Sequence, residues 1–419
     1  MILEFKFKNA GSFKGGYSLD LSATKSNEND YSLIRYGGEK ILPVSVIYGA
    51  NASGKSNVFG AFLQMRNFVL TSGYIPMVDA SLNSILDWRF KFCNNNESVE
   101  LEVYFTVNND VKEYIYCYGF IVNNDGVEEE WFYKKSEYSN EYKIVFQRGK
   151  TKYDIKYETL TKSELENIKS AFDKKALLAS VGNNIKIKDC ETIYKWFMDT
   201  QCIDFSRLNI DEEFNYKSIS NIRDTEFQNN IVRFISSFDN SIKGFNILEK
   251  ENRFNIYDIK SKHILEGSEY YLDFDCESLG TKKMIYLYQY IEKVFKNGGL
   301  LFADELCASL HSLLVRNLLI LFNNSELNVN HAQLIFTSHD VWLLSCKNLR
   351  RDEIWFTSKN ADETSELYSL SDFITDKGEK IRKDESFEKN YMYGKYGAIP
   401  NISPINLNYK DEKNEKTVV

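Results

Sequence analysis

Proline and histidine are scarce in these 419 residues, at four each. Few prolines leave long stretches free to form regular elements, and so few histidines give weight to any that falls inside a motif. No run of 18 consecutive apolar residues occurs, which excludes a transmembrane helix. The opening MILEFKFKNAGSF alternates like a strand and lacks the regions of a signal peptide, so a cytoplasmic location without membrane contact is expected. The seven cysteines, at 93, 117, 190, 202, 276, 307 and 346, never form a C-x-x-C pair. That argues against a disulfide framework or a zinc site. Positive charge is not in excess: the net charge is −8, which disfavours indiscriminate binding to DNA. The basic clusters Lys282–Lys283, Arg350–Arg351 and Lys380 with Arg382 and Lys383 read as solvated surface or partner contacts.

Hydrophobic periodicity is plentiful. LEFKFKN, YSLDLSA and ILPVSVIYG read as strands, and VFGAFLQMRNFVL as a helix with a broad buried face. From 86 to 147 the runs RFKF, VELEVYFTV, EYIYCYGFIV, EEEWFYKK and YKIVFQR alternate, with N-N-D turns at 108–110 and 123–125. This predicts an antiparallel sheet. From 148 to 245 the composition turns helical without sustained heptads, which predicts an insertion of short helices. From 278 onwards apolar strands alternate with helices, the pattern of a parallel α/β sheet. The expected organisation is an N-terminal lobe (1–147), a helical insertion (148–245), a C-terminal lobe (246–405) and a polar tail (406–419).

The chemistry concentrates in three stretches. In VIYGANASGKSN, residues 46–57, Gly49, Ala50, Asn51, Ala52, Ser53, Gly54, Lys55 and Ser56 match G-x-x-x-x-G-K-[ST], with Asn57 following. Glycines let successive amides converge on phosphate oxygens, and the next helix adds its positive N-terminal end. Lys55 would bridge the β- and γ-phosphates of ATP and Ser56 would bind Mg²⁺. LLFADEL, residues 300–306, ends an apolar strand in two carboxylates. Asp304 would hold Mg²⁺ and Glu305 would activate water, because the metal ligand cannot also be the base. LIFTSHD puts His339 past another strand, within reach of a γ-phosphate.

ESLGTKKM sets Ser278, Gly280 and Thr281 before an amphipathic helix and upstream of the Asp304 strand. It resembles the ABC signature loop, which engages the nucleotide of the opposite subunit, and Ser309 and His311 stand where that family's D-loop would be. Together with GANASGKSN, FTSHD and the late KNYMYGKYGAIPNI, these residues resemble an ABC-type head of the SMC and RecF class. The closer resemblance is to the AAA-family ATPases of bacterial phage-defence systems, the RloA and AbiL group, with the PARIS ATPase nearby. The resemblance implies an α/β P-loop NTPase head with an antiparallel β subdomain and slow ATP hydrolysis. It also implies an ATP-closed homodimer or higher oligomer and a separate effector, a TOPRIM-like nuclease or a toxin. A phage protein or nucleic acid would be the trigger. No Q-loop glutamine is evident, since Gln64 lies two turns into the helix after the P-loop. Two other readings stand beside it: a DNA-maintenance ATPase resembling RecF and SMC proteins, and a nucleotide-stabilised scaffold that scarcely turns ATP over.

Overall fold

A computed structural model describes residues 1–26, 28–92, 97–107, 113–139, 141–151, 153–207, 224–249, 257–308, 310–345, 348–374, 378 and 380–400. Two sheets organise it. The first is antiparallel, built from β1 (Ile2–Ala10), β2 (Phe13–Asp20), β6 (Val99–Thr106), β7 (Tyr114–Asn123), β8 (Gly126–Ser136), β9 (Lys143–Arg148) and β10 (Lys156–Tyr157), in the order 10-9-8-7-6-1-2. A small ribbon, β3 (Ile34–Tyr36) with β4 (Glu39–Ile41), accompanies it. The expected turn at 123–125 joins β7 to β8, with the Asp125 N–H on the Asn123 side chain at 2.9 Å. The turn expected at 108–110 lies outside the described residues.

The second sheet is mixed, in the order β11 (Gln201–Asp204), β15 (Leu300–Asp304), β16 (Gln333–Thr337), β5 (Val44–Gly49), β17 (Ile354–Lys359), β18 (Ser365–Ser369). All neighbours are parallel except β17 with β18. Every residue of β5, β15 and β16 is buried, which is why they read as unbroken apolar runs instead of alternating ones.

Helix α1 (Lys55–Thr71) lies between the sheets. Phe62 meets Phe5 of β1 edge-on at 5.2 Å and Phe302 of β15 at 5.7 Å, so the aromatics tie both sheets to one helix. α2 (Val78–Asp87) follows α1. The segment read as a helical insertion holds α3 (Lys162–Ser170), α4 (Leu178–Asn184), α5 (Lys188–Asp199) and α6 (Thr225–Ser236). It is not purely helical: α5 and its Trp196 pack in the core beneath Phe105, and β11 joins the parallel sheet. A three-stranded sheet, β12 (Ile242–Glu249), β13 (Tyr257–Leu265) and β14 (Ser268–Asp273), then leads into α7 (Leu279–Asn297).

α7 and α8 (Ser312–Asn323) cover the other face of the mixed sheet. The short α9 (Phe387–Met392) and the turn after it close the same core: Tyr391 stacks on Phe356 at 5.6 Å and Tyr396 lies 5.3 Å from it. The tail 406–419 lies outside the described residues. No helix among the described residues is long and apolar enough to cross a membrane.

Candidate functional site

In the parallel part of the sheet the strand order brings three C-terminal strand ends side by side, β15, β16 and β5, with β16 in the middle. Ligands of open α/β sheets gather at this edge.

The loop after β5 is shaped by two close approaches. A Cβ on Gly49 would fall 2.4 Å from Ser53 Oγ and 2.5 Å from the Thr357 carbonyl, so β17 presses directly on the backbone there. Gly54, at φ 117°, would meet Ser365 Oγ at 2.7 Å and Ser12 Oγ at 2.9 Å. Ser53 points inward and shares a 2.6 Å hydrogen bond with Thr357. Lys55 is 5% exposed, and its Nζ donates to the carbonyls of Gly49 and Ala50, each at 2.9 Å. Burial pushes this ammonium down to about 8, against the pull of Asp304 and Glu305. Asn57 donates to Ser12 Oγ at 2.7 Å, fastening α1 to the β1–β2 turn.

Asp304, 1% exposed, accepts from the hydroxyls of Thr337 (2.6 Å) and Ser56. Burial raises its carboxyl above the ordinary value, those two hydrogen bonds oppose the rise, and Asp204 and Glu305 add to it. Thr337 does double duty, because its hydroxyl also accepts the Glu305 N–H at 2.8 Å. Glu305 stands in the left-handed region, φ 54°, a conformation that turns the chain sharply away from the strand. His339 follows Ser338, whose N–H bonds Ile47 of the P-loop strand at 3.1 Å. Burial and then Lys55 lower the imidazole pKa, and Asp304 opposes them, so the ring is neutral at pH 7.

A cavity of about 730 Å³ opens here, lined by Asn51, Ala52 and Gly54 to Asn57 on one side and by Glu305 and His339 on another. Gly11, Ser12, residues 87–92, Lys359 and Glu363 complete the wall. The stretch RFKF, expected as a strand, is therefore corrected: residues 89–92 form a turn over the cavity. The Arg89 N–H turns back to the Leu86 carbonyl at the end of α2, and the carbonyl of the preceding Trp88 accepts from Gly11 at 2.7 Å. The Arg-Phe-Lys-Phe alternation carried no hint of this. Thr337 and Thr357 were also missed, although Thr337 stands two residues before His339.

The remaining motif residues lie apart from the cavity. Ser278 caps α7, accepting the Thr281 N–H at 3.1 Å, and Thr281 Oγ1 donates to Asp239 at 3.3 Å. Ser278 and Leu279 are exposed, Leu279 by 51%, and Gly280 is partly so. His311 caps α8, its Nδ1 accepting from Leu313 N–H at 3.2 Å. Ser309 lies outside the described residues. Gln64 receives a hydrogen bond from Ser84 on α2 at 2.9 Å, away from the cavity. The pair Lys282–Lys283, read as solvated, is buried at 6% and 2% exposure.

The Ser56 hydroxyl and the Asp304 carboxylate, hydrogen-bonded to each other, offer oxygen donors beside the phosphate loop. That set suits Mg²⁺, which takes one or two protein oxygens and completes its shell with water and substrate phosphates.

A mostly parallel sheet with a glycine-shaped phosphate loop, a strand-end carboxylate pair and a neighbouring strand-end histidine defines a P-loop ATPase domain of the AAA type. A family model described as "AAA domain, putative AbiEii toxin, Type IV TA system" matches residues 44–345, and the chain belongs to that family. Among solved structures it is similar to the Smc head bound to the C-winged helix domain of ScpA, at 18% identity, covering 88% of this chain and 97% of that one, TM-score 0.45. It is also similar to the Smc head domain with an extended coiled coil bound to the C-terminal domain of ScpA from Pyrococcus furiosus, at 14% identity, 88% and 96% coverage, TM-score 0.41. Comparison with curated proteins gives no match.

Proposed function

We propose that this protein is a Mg²⁺-dependent ATPase that acts as the switch of an anti-phage, abortive-infection system. ATP closes two copies head to head, and hydrolysis or a phage trigger changes their hold on a separate nuclease or toxin. One observation carries the reading: Lys55, Glu305 and His339 share a single cavity while the helix tip at Ser278 and Leu279 is exposed to solvent outside it. The site thus holds a base and a phosphate cradle, and the signature-like tip is left for another subunit's nucleotide. The family's description as a putative AbiEii toxin of a type IV toxin–antitoxin system supports the defence setting.

In this mechanism the loop amides from Asn51 to Ser56 and the N-terminal end of α1 bind the phosphates, and Lys55 reaches the β- and γ-phosphates. Ser56 and Asp304 would hold Mg²⁺, which neutralises phosphate charge when bound. Glu305, set by the Thr337 bond to its N–H, takes the proton of the attacking water as its oxygen bonds to the γ-phosphorus. ADP then leaves. Neutral His339 keeps a ring N–H for the γ-phosphate. The partner's Ser278 hydroxyl and the N-terminal end of its α7 complete the site.

The test is Glu305→Gln with Mg²⁺-ATP in size-exclusion chromatography with light scattering, beside phage plating. The reading expects a trapped ATP-bound dimer and loss of protection. A monomer, or full protection by the variant, contradicts it. Hydrolysis stimulated by DNA would favour the DNA-maintenance reading instead.

A further inference from the structure

The lysine that sequence pattern places on the surface is buried at a junction. Lys283 lies in the first turns of α7, three residues beyond Gly280, or about 4.5 Å along the helix. Its Nζ donates to the carbonyls of Leu306 at 2.9 Å and Glu305 at 3.4 Å, and also to that of Ala308. The ring of Phe205, just past β11, sits 4.1 Å from Nζ, a cation–π distance. Among the described residues no carboxylate forms an ion pair with it. An ammonium has three N–H donors, and three carbonyls of one turn take them.

Burying a cation without a counter-ion is costly, and burial pushes this ammonium down to about 8, with Cys307 and Glu305 opposing. A methionine would fill the space without that cost. What the charge supplies is a grip on one turn, the turn that sets Glu305 at φ 54°. Glu305 is therefore pinned on both sides of its own backbone. Its N–H is held by Thr337 from β16, and its carbonyl by Lys283 from α7.

We propose that Lys283 is a positioning residue that carries contact at the Ser278–Gly280 tip of α7 to Glu305 of the same subunit. Each subunit's glutamate is then set by the nucleotide which that subunit clasps on its partner, so the two sites of a dimer fire together. This rests on the reading above that the tip meets the partner's nucleotide.

The test compares full-length Lys283→Met and Lys283→Arg with the parent for Mg²⁺-ATP affinity, kcat and ATP-dependent dimer. Met keeps the stem and loses the donors; Arg keeps charge, but its planar fork cannot aim at three carbonyls of one turn. In the Met variant kcat falls at least about tenfold while affinity moves by less than about twofold and the dimer persists, as for a misplaced catalytic group. Arg restores only part of the rate. An unchanged kcat in Lys283→Met, or an equal loss of kcat and affinity in both variants, overturns the inference. Should both variants fail to fold, hydrogen exchange on Glu305→Gln decides: amides 305–308 slow when Mg²⁺-ATP is added, and unaltered exchange in a formed dimer overturns it. If Glu305→Gln stays monomeric with ATP, the trans reading itself has failed; a dimer with normal kcat in Lys283→Met sinks the coupling alone.

Discussion

Two helix N-termini in this chain are capped by small residues, Gly54 at α1 and Ser278 at α7, and they sit in opposite surroundings. At α1 the loop is pressed between β17 and the β1–β2 turn, Lys55 is 5% exposed, and the carboxylate and imidazole of two neighbouring strands face the same cavity. At α7 the capping serine and Leu279 lie in solvent, and the partners of the tip, Asp239 with Thr281, hold it from behind. Both offer free amides and a dipole to an anion. The first is enclosed by groups of its own chain, and the second stands open to solvent. On the proposed function, a phosphate bound at the first site of another subunit is the anion the second would take.

The largest effect expected from breaking the first region is on chemistry. Glu305→Gln should lower kcat by about 10²- to 10⁴-fold, the range for a lost general base, with ATP affinity retained; steady-state rates against equilibrium binding check it. Lys55→Ala should weaken ATP binding by about 1.5–3 kcal/mol, the worth of hydrogen bonds to a charged group, visible by calorimetry. A change in the second region should leave single-chain binding alone. Gly280→Asp places a carboxylate where a phosphate is due and should cut kcat about tenfold through the helix-end charge, with no change in the affinity of the monomer for ATP. Thr337→Val removes the acceptor of the Glu305 N–H and a donor to buried Asp304, and should cost about 1–3 kcal/mol of stability, read from the denaturation midpoint. The smallest effect concerns pH. Because burial and Lys55 lower the His339 pKa, protonation starts only below the ordinary imidazole range. The acid limb of the rate should therefore begin only below that range, and His339→Gln should lack the part of that limb the imidazole contributes.

Much of the first region was legible in the sequence because its geometry demands particular residues. Only glycine fits where β17 meets Gly49, and only a short acidic strand end can put two carboxylates at the sheet edge. The strand–helix alternation likewise announced β15, α8 and β16. The losses have physical causes. β11 is four residues long inside a helical stretch, too short for periodicity to show, although it lies beside β15 with Asp204 paired to Asp304. RFKF alternates like a strand, but the Arg89 N–H turns back to the end of α2 and Trp88 before it bonds the β1–β2 turn. Lys283 looked solvated because lysines usually are; its partners are main-chain carbonyls, which leave no trace in sequence.

Mixing two variants tests most directly whether the two regions meet across subunits. Lys55→Ala disables the first region and Gly280→Asp the second, so each alone should dimerise poorly with Mg²⁺-ATP. In a symmetric dimer every heterodimer regains one intact composite site, so an equimolar mixture should recover ATP-dependent dimer by light scattering, up to about half of the parent's level because about half of the pairs are heterodimers. A mixture that dimerises no better than its components would contradict the account.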